Sequence, residues 1–241
     1  MSCTINERPL KDILPYVLPS CMGLPEEMAM DYGRRAYIEF ARRSGGLFKT
    51  LVYDLQEGVM DYPLELPEGY KVNRVNSVAI DGNTKVSPTL DHNGNVCCGG
   101  STNQNLSGNY SGGAMNGSYG YGPNSWLGSC GRYQFHVVGY ECIILHNAPN
   151  KDRTNGIQVE VSIIPDQEVC GFDDDFFDRW VEGITAGVLA KAFLLPNTDW
   201  FNPQLAATNE RKFGVEIQRA RHKFDLNNSR GPMRMEAKRF V

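Results

Sequence analysis

Residues Phe172–Phe224, FDDDFFDRWVEGITAGVLAKAFLLPNTDWFNPQLAATNERKFGVEIQRARHKF, decide how this chain folds. From Phe177 onward, apolar residues recur at Trp180, Val181, Ile184, Val188, Ala192 and Leu195, a stripe along one side of a helix. Asp173, Asp174 and Asp175 stand where acids complement the partial positive charge of a helix N-terminus. Pro196 ends the helix, having no amide donor and clashing with the preceding turn. Asn202 and Pro203 then supply a cap and a first-turn proline for a second helix. That helix gathers Ala206, Phe213, Ile217, Ala220 and Phe224 on one side. The first helix also has a small-residue face, Gly183, Ala186, Gly187 and Ala190. Each glycine costs roughly 1 kcal/mol of helix propensity, so a close approach is expected there, either in a tight core or between subunits.

Working outward, residues 9–19 form a short apolar helical piece interrupted by Pro15 and Pro19. A longer helix is expected at 25–44, with Pro25 at its start, Glu26 and Glu27 in its first turn, Arg42 and Arg43 in its last, and Gly45-Gly46 beyond. Its apolar side reads Met28, Tyr32, Ala36 and Phe40. The pattern then shifts to a period of two. Leu47–Gln56 and Val59–Leu66 flank Glu57-Gly58 as an expected hairpin, and Pro67-Glu68-Gly69 forms a turn. Val72–Ile80 reads as a strand ending at the turn Asp81-Gly82-Asn83. Residues 133–146 read as two strands around Gly139, and Ile157–Ile164 as another. Between them, residues 91–131 are rich in Gly, Asn and Ser, with Tyr110, Tyr119, Tyr121 and Trp126 interspersed. Such a composition buries little apolar surface, so a long surface loop is expected, with these aromatics meeting a partner.

The expected fold is therefore α+β: a discontinuous α-helical bundle, 5–46 and 170–224, with a large β-rich insertion, 47–169, and a C-terminal arm, 225–241. The arm mixes basic and large apolar residues and is too short for a core of its own. From Arg219 onward there are seven Lys and Arg against two acids, Asp225 and Glu236, a local imbalance suited to an acidic protein partner or to nucleic acid.

Over the whole chain, 241 residues with a net charge of −4 allow a sizeable core and do not suggest a protein that coats nucleic acid. Seven cysteines with no visible export signal suggest free thiols. There is no nucleophile elbow, Walker loop, H-E-x-x-H or EF-hand pattern, and Gly117, Gly120 and Gly122 lack the strand and helix of a dinucleotide site. Cys97, Cys98, Cys130, Cys142, His136 and His146 lack the spacing of a zinc site. No catalytic residue, cofactor or metal is expected.

Several spaced motifs, taken in order, carry a resemblance. Arg34-Arg35-Ala36-Tyr37-Ile38-Glu39-Phe40-Ala41-Arg42-Arg43 leads into Gly58-Val59-Met60-Asp61-Tyr62-Pro63-Leu64 and then Ala79-Ile80-Asp81-Gly82. Much later come Trp180, Gly183, Ile184 and Gly187, then Pro196, Trp200, Pro203, Leu205, Ala206, Phe213 and Ala220-Arg221. Over residues 8–90 and 133–224 the chain resembles the head-to-tail adaptor (connector) proteins of tailed bacteriophages. The resemblance implies a virion structural protein, assembled in the host cytoplasm, that joins the portal to the tail. It implies a homo-oligomeric ring of about twelve copies, through which genomic DNA passes without sequence-specific binding, and no membrane partner. Portal contacts would come from Arg230, Arg234, Lys238, Arg239 and Phe240 in the arm, and the tail (nozzle or tube) protein would meet Tyr110, Tyr119, Tyr121 and Trp126. The long loop 91–131 departs from the family pattern. The alternatives are a tail-side completion protein that docks on the tube and a β-rich ligand-binding module.

Overall fold

In a computed structural model, residues 7–86, 89–90, 96–97, 126–130, 133–138 and 142–228 are described, and they form a mixed α+β fold. Strand β1 (Glu7–Pro9) passes through a short 3-10 turn, Leu10–Ile13, into α1 (Leu14–Val17). Helix α2 (Glu26–Ser44) stops at Gly45, whose left-handed φ of 63° turns the chain and lets its amide bond Ala41 O. Then come β2 (Phe48–Leu55), β3 (Asp61–Pro63), β4 (Tyr70–Ile80) and β5 (Asn83–Val86). The β4–β5 turn has Asp81 at φ 55° and Gly82 at φ 81°. Ile80 pairs with Asn83 across it, so this is the two-residue hairpin that an Asp-Gly pair favours. The short strands β6 (Thr89–Leu90) and β7 (Val96–Cys97) pair with each other, and β8 (Trp126–Cys130), β9 (Tyr133–Val138) and β10 (Cys142–Leu145) follow. Strand β11 (Arg153–Pro165) and strand β12 (Gly171–Asp173) lead into α3 (Asp174–Ala192) and α4 (Pro203–Asn228).

The strands assemble into two four-stranded sheets, β2-β11-β4-β5 and β3-β10-β9-β8, and the pairs β1-β12 and β6-β7. The chain divides into two compact units. The first contains the described residues up to Leu51, Glu65–Arg74 and Glu160–Asn227; the second contains Val52–Leu64, the described part of Val75–Val159 and Asn228. The first unit therefore takes in residues 47–51, 65–74 and 160–169 along with the helices.

Helices α2, α3 and α4 build the core of the first unit around aromatic rings. Phe40 lies 5.7 Å from both Phe176 and Trp180 and 5.9 Å from Phe213, centroid to centroid. Phe172 stacks on Phe177 at 4.6 Å and meets Tyr37 edge-on at 5.2 Å. The small face of α3 sits inside this core. A Cβ on Gly183 would lie 2.6 Å from Phe40 Cε2, and one on Gly187 would lie 2.7 Å from Phe213 Cε2 and 3.1 Å from Ala36 Cβ. The close approach is thus made within one chain. In the second unit, Tyr133, Phe135, Val137, Ile143 and Leu145 are buried on β9 and β10.

Four expectations require correction. The hairpin around Glu57-Gly58 does not form, because β2 pairs in the sheet with β11 while β3 pairs with β10. The turn is held instead from across the chain: Gly58 N donates to Pro149 O at 3.0 Å, and Glu57 N donates to Asp152 at 2.7 Å. The buried side of α2 is Ala29, Gly33, Ala36, Tyr37 and Phe40, while Met28 is exposed. A strict spacing of four drifts about 40° per step on a helix of 3.6 residues per turn, so the expected stripe winds off the core. Part of 91–131 is strand, since β8 pairs antiparallel with β9. Finally, α4 continues to Asn228, so the first residues assigned to the arm, 225–228, are helical.

Candidate interaction surface

Trp126 begins β8, in register with Val137 of β9, rather than in a loop. Tyr110, Tyr119 and Tyr121 lie outside the described residues, as do Arg230, Arg234, Lys238, Arg239 and Phe240. The basic end of α4 is described up to Phe224. Arg221, His222 and Lys223 are exposed, Arg219 approaches Glu216 at 3.6 Å, and Phe224 is buried against Phe48 at 5.6 Å.

A different surface emerges from the corner joining α3 to α4. Leu194 N bonds Lys191 O at 3.2 Å and Leu195 N bonds Ala192 O at 3.1 Å, tightening the end of α3 before Pro196. Asn202 N then bonds Phe193 O at 2.9 Å, closing the corner. The Asn202 side chain accepts from the amides of Gln204 and Leu205 at 3.1 and 3.0 Å and so starts α4. The α1–α2 turn meets this corner, since a Cβ on Gly23 would lie 3.3 Å from the Trp200 ring. The Trp200 Nε1 is enclosed without a hydrogen-bond partner among the described residues. Four large apolar side chains on these segments face solvent: Met22 is 80% exposed, Leu194 57%, Phe201 47% and Leu205 45%. Glu26, Glu27 and Asp199 are exposed on the same segments and make no ion pair among the described residues. The sequence pattern did not single out this patch, because Leu194 and Phe201 fall at the corner between two periodic runs and Leu205 in the first turn of α4. Their only signal is that they fall out of phase with the buried stripes.

Strand β1 pairs with β12, and Arg8 clasps the start of α3, reaching Asp174 at 2.6 Å and Asp178 at 2.5 Å. Its guanidinium lies 5.2 Å over the Phe177 ring. The hydrogen bond with Asp178 pushes the Arg8 pKa up further, so this cation stays charged. An open cleft of about 430 Å³ beside it is lined by Lys11, Leu14, Pro15 and Tyr16, among others. A second open cleft, about 400 Å³, lies in the β-rich unit beside Tyr53, Asp54, Asp61 and Tyr62. Asp54 is engaged there as an acceptor for Asn155 N at 2.8 Å. Asp173, the first of the acidic run, accepts from Phe176 N at 2.9 Å and caps α3. Among the described residues, no three His, Cys, Asp or Glu side chains come together to hold a metal ion. No helix among them is long and apolar enough to cross a membrane. No protein-family model matches the chain, and a search among curated proteins finds no relative.

Proposed function

We propose that this chain is a structural assembly protein, a ring-forming adaptor that joins the portal of a tailed bacteriophage to its tail. The observation that carries the reading is the order of its parts. An Arg- and aromatic-rich helix, α2, comes first, then the β-rich stretch with its Asp81-Gly82 turn. The glycine-faced α3 and the capped α4 follow, packed back on α2. This is the order in which the motifs of the resemblance run. The solvent-facing apolar corner at Met22, Leu194, Phe201 and Leu205 supports it, since exposed apolar clusters on a folded unit mark interaction sites. In this reading the protein performs no catalysis and needs no cofactor. Its work is done by interfaces on the virion, with DNA passing through the ring.

Electron microscopy of the full chain mixed with portal rings tests the proposal. A new ring layer on the portal is expected. Portals that stay bare in the presence of excess chain would overturn it, and binding to isolated tail tubes instead would place the protein on the tail side.

A further inference from the structure

We propose that the apolar corner of the helical unit is the docking surface for residues Arg230–Phe240 of a second copy of this chain. The segment's composition fits the corner. Met233, Met235 and Phe240 suit the exposed Met22, Leu194, Phe201 and Leu205. Arg230, Arg234, Lys238 and Arg239, against a single Glu236, complement the exposed carboxylates Glu26, Glu27 and Asp199. Flexible methionines next to a large ring also adapt readily to an apolar surface.

Reach decides between the same chain and another. The corner lies at the N-terminal end of α4, and the segment leaves from its C-terminal end. With 26 residues, α4 is about 39 Å long at a rise of about 1.5 Å per residue. Met233 is only five residues beyond Asn228, and five extended residues span at most about 18 Å. Met235 is seven residues beyond Asn228 and spans at most about 25 Å, so neither methionine can return to the corner of its own molecule. Phe240, twelve residues on, spans at most about 43 Å and could, so the segment as a whole, methionines included, fits only the corner of a second copy. The resulting contact joins two different surfaces head to tail, so it propagates and closes into a ring where the rotation allows. The proposal stands on these positions and composition and does not depend on the phage reading.

The test uses three full-length proteins: the natural chain, Phe201→Glu, and Arg234→Glu/Arg239→Glu. By sedimentation velocity, the natural chain should form oligomers that grow with concentration and weaken as salt rises. Each variant alone should associate about tenfold more weakly or less still. An equimolar mixture of the two variants should form a dimer and stop there, because it retains one intact corner and one intact segment. A natural chain that stays monomeric at submillimolar concentration would overturn the proposal. So would variants that assemble like the natural chain, a mixture without the dimer, or a segment that binds portal rings while leaving self-association unchanged. Met22→Glu, at the most exposed position of the corner, replaces Phe201→Glu if circular dichroism shows that variant unfolded.

Discussion

Gly187 and Gly214 are both helix-interior glycines, and propensity alone treats them alike. Their surroundings do not. A methyl group on Gly187 would press against Phe213 and Ala36, whereas nothing lies within 4 Å of one on Gly214. Gly214→Ala should therefore stabilise the fold by about 0.5–1 kcal/mol. Gly187→Leu should destabilise it by at least about 1–3 kcal/mol through overpacking. Thermal melts that moved in the same direction for both would refute the packing account. Titrating groups give a second prediction at this scale. Burial pushes the Cys21 thiol above its ordinary value of 9.0, so it adds stability that is fully present below pH 9 and lost as the pH rises further. Burial, followed by repulsion from His146, pushes His136 below 6.5, so its contribution is present above that pH and lost on acidification. Asp166, held down by its hydrogen bond with Lys71, loses its contribution only below 3.8. Melting temperature against pH should thus fall on both sides of neutrality, and His136→Gln should flatten the limb just below 6.5.

Among elements, caps were legible and pairings were not. Asp173 and Asn202 announce α3 and α4 because a short polar side chain before a periodic run is chemically suited to bond orphan amides, and both side chains do so. Asn202→Ala should cost about 0.5–2 kcal/mol, while Asn202→Asp, whose carboxylate can accept the same amides, should keep most of the stability, as measured by denaturant melts. The turn Asp81-Gly82 was legible for the same kind of reason, since few residues tolerate two successive positive φ angles. Glu57-Gly58 carries a similar local signal without making a hairpin. The strands on either side find partners roughly 80–100 positions away, and strand pairing depends on side-chain packing that no short window contains. The end of α3 illustrates the limit in another way. Pro196 announces a stop, yet regular helix ends at Ala192, because Leu194 and Leu195 bond back three residues rather than four and the corner is closed by Asn202 N on Phe193 O.

For the whole molecule, the boundary of α4 carries a practical consequence. Phe224 is packed on Phe48 and the helix continues to Asn228, so truncation belongs after residue 228 rather than at 225. A chain ending at Asn228 should keep its unfolding free energy within about 0.5 kcal/mol by denaturant melts while losing self-association by sedimentation. A substantial loss of stability would show that the removed residues belong to the fold rather than to an interface.

What the amino-acid sequence determined by itself was local: helices read at about 25–44, 173–195 and 203–224, whose ends the structure moves to 26–44, 174–192 and 203–228, the Asp81-Gly82 turn, the strands of β4, β9, β10 and β11, and the α+β class. These follow from periodicity, capping and steric restriction, which act over a few residues. Tertiary structure alone decided that the glycine face of α3 closes on Phe40 and Phe213 of the same chain, and that β2 and β3 belong to separate sheets. It also left Met22, Leu194, Phe201 and Leu205 exposed on the segments that meet where Gly23 approaches Trp200. Each of those outcomes depends on which distant surfaces meet, and burial is a property of the pair of surfaces rather than of either stretch of chain.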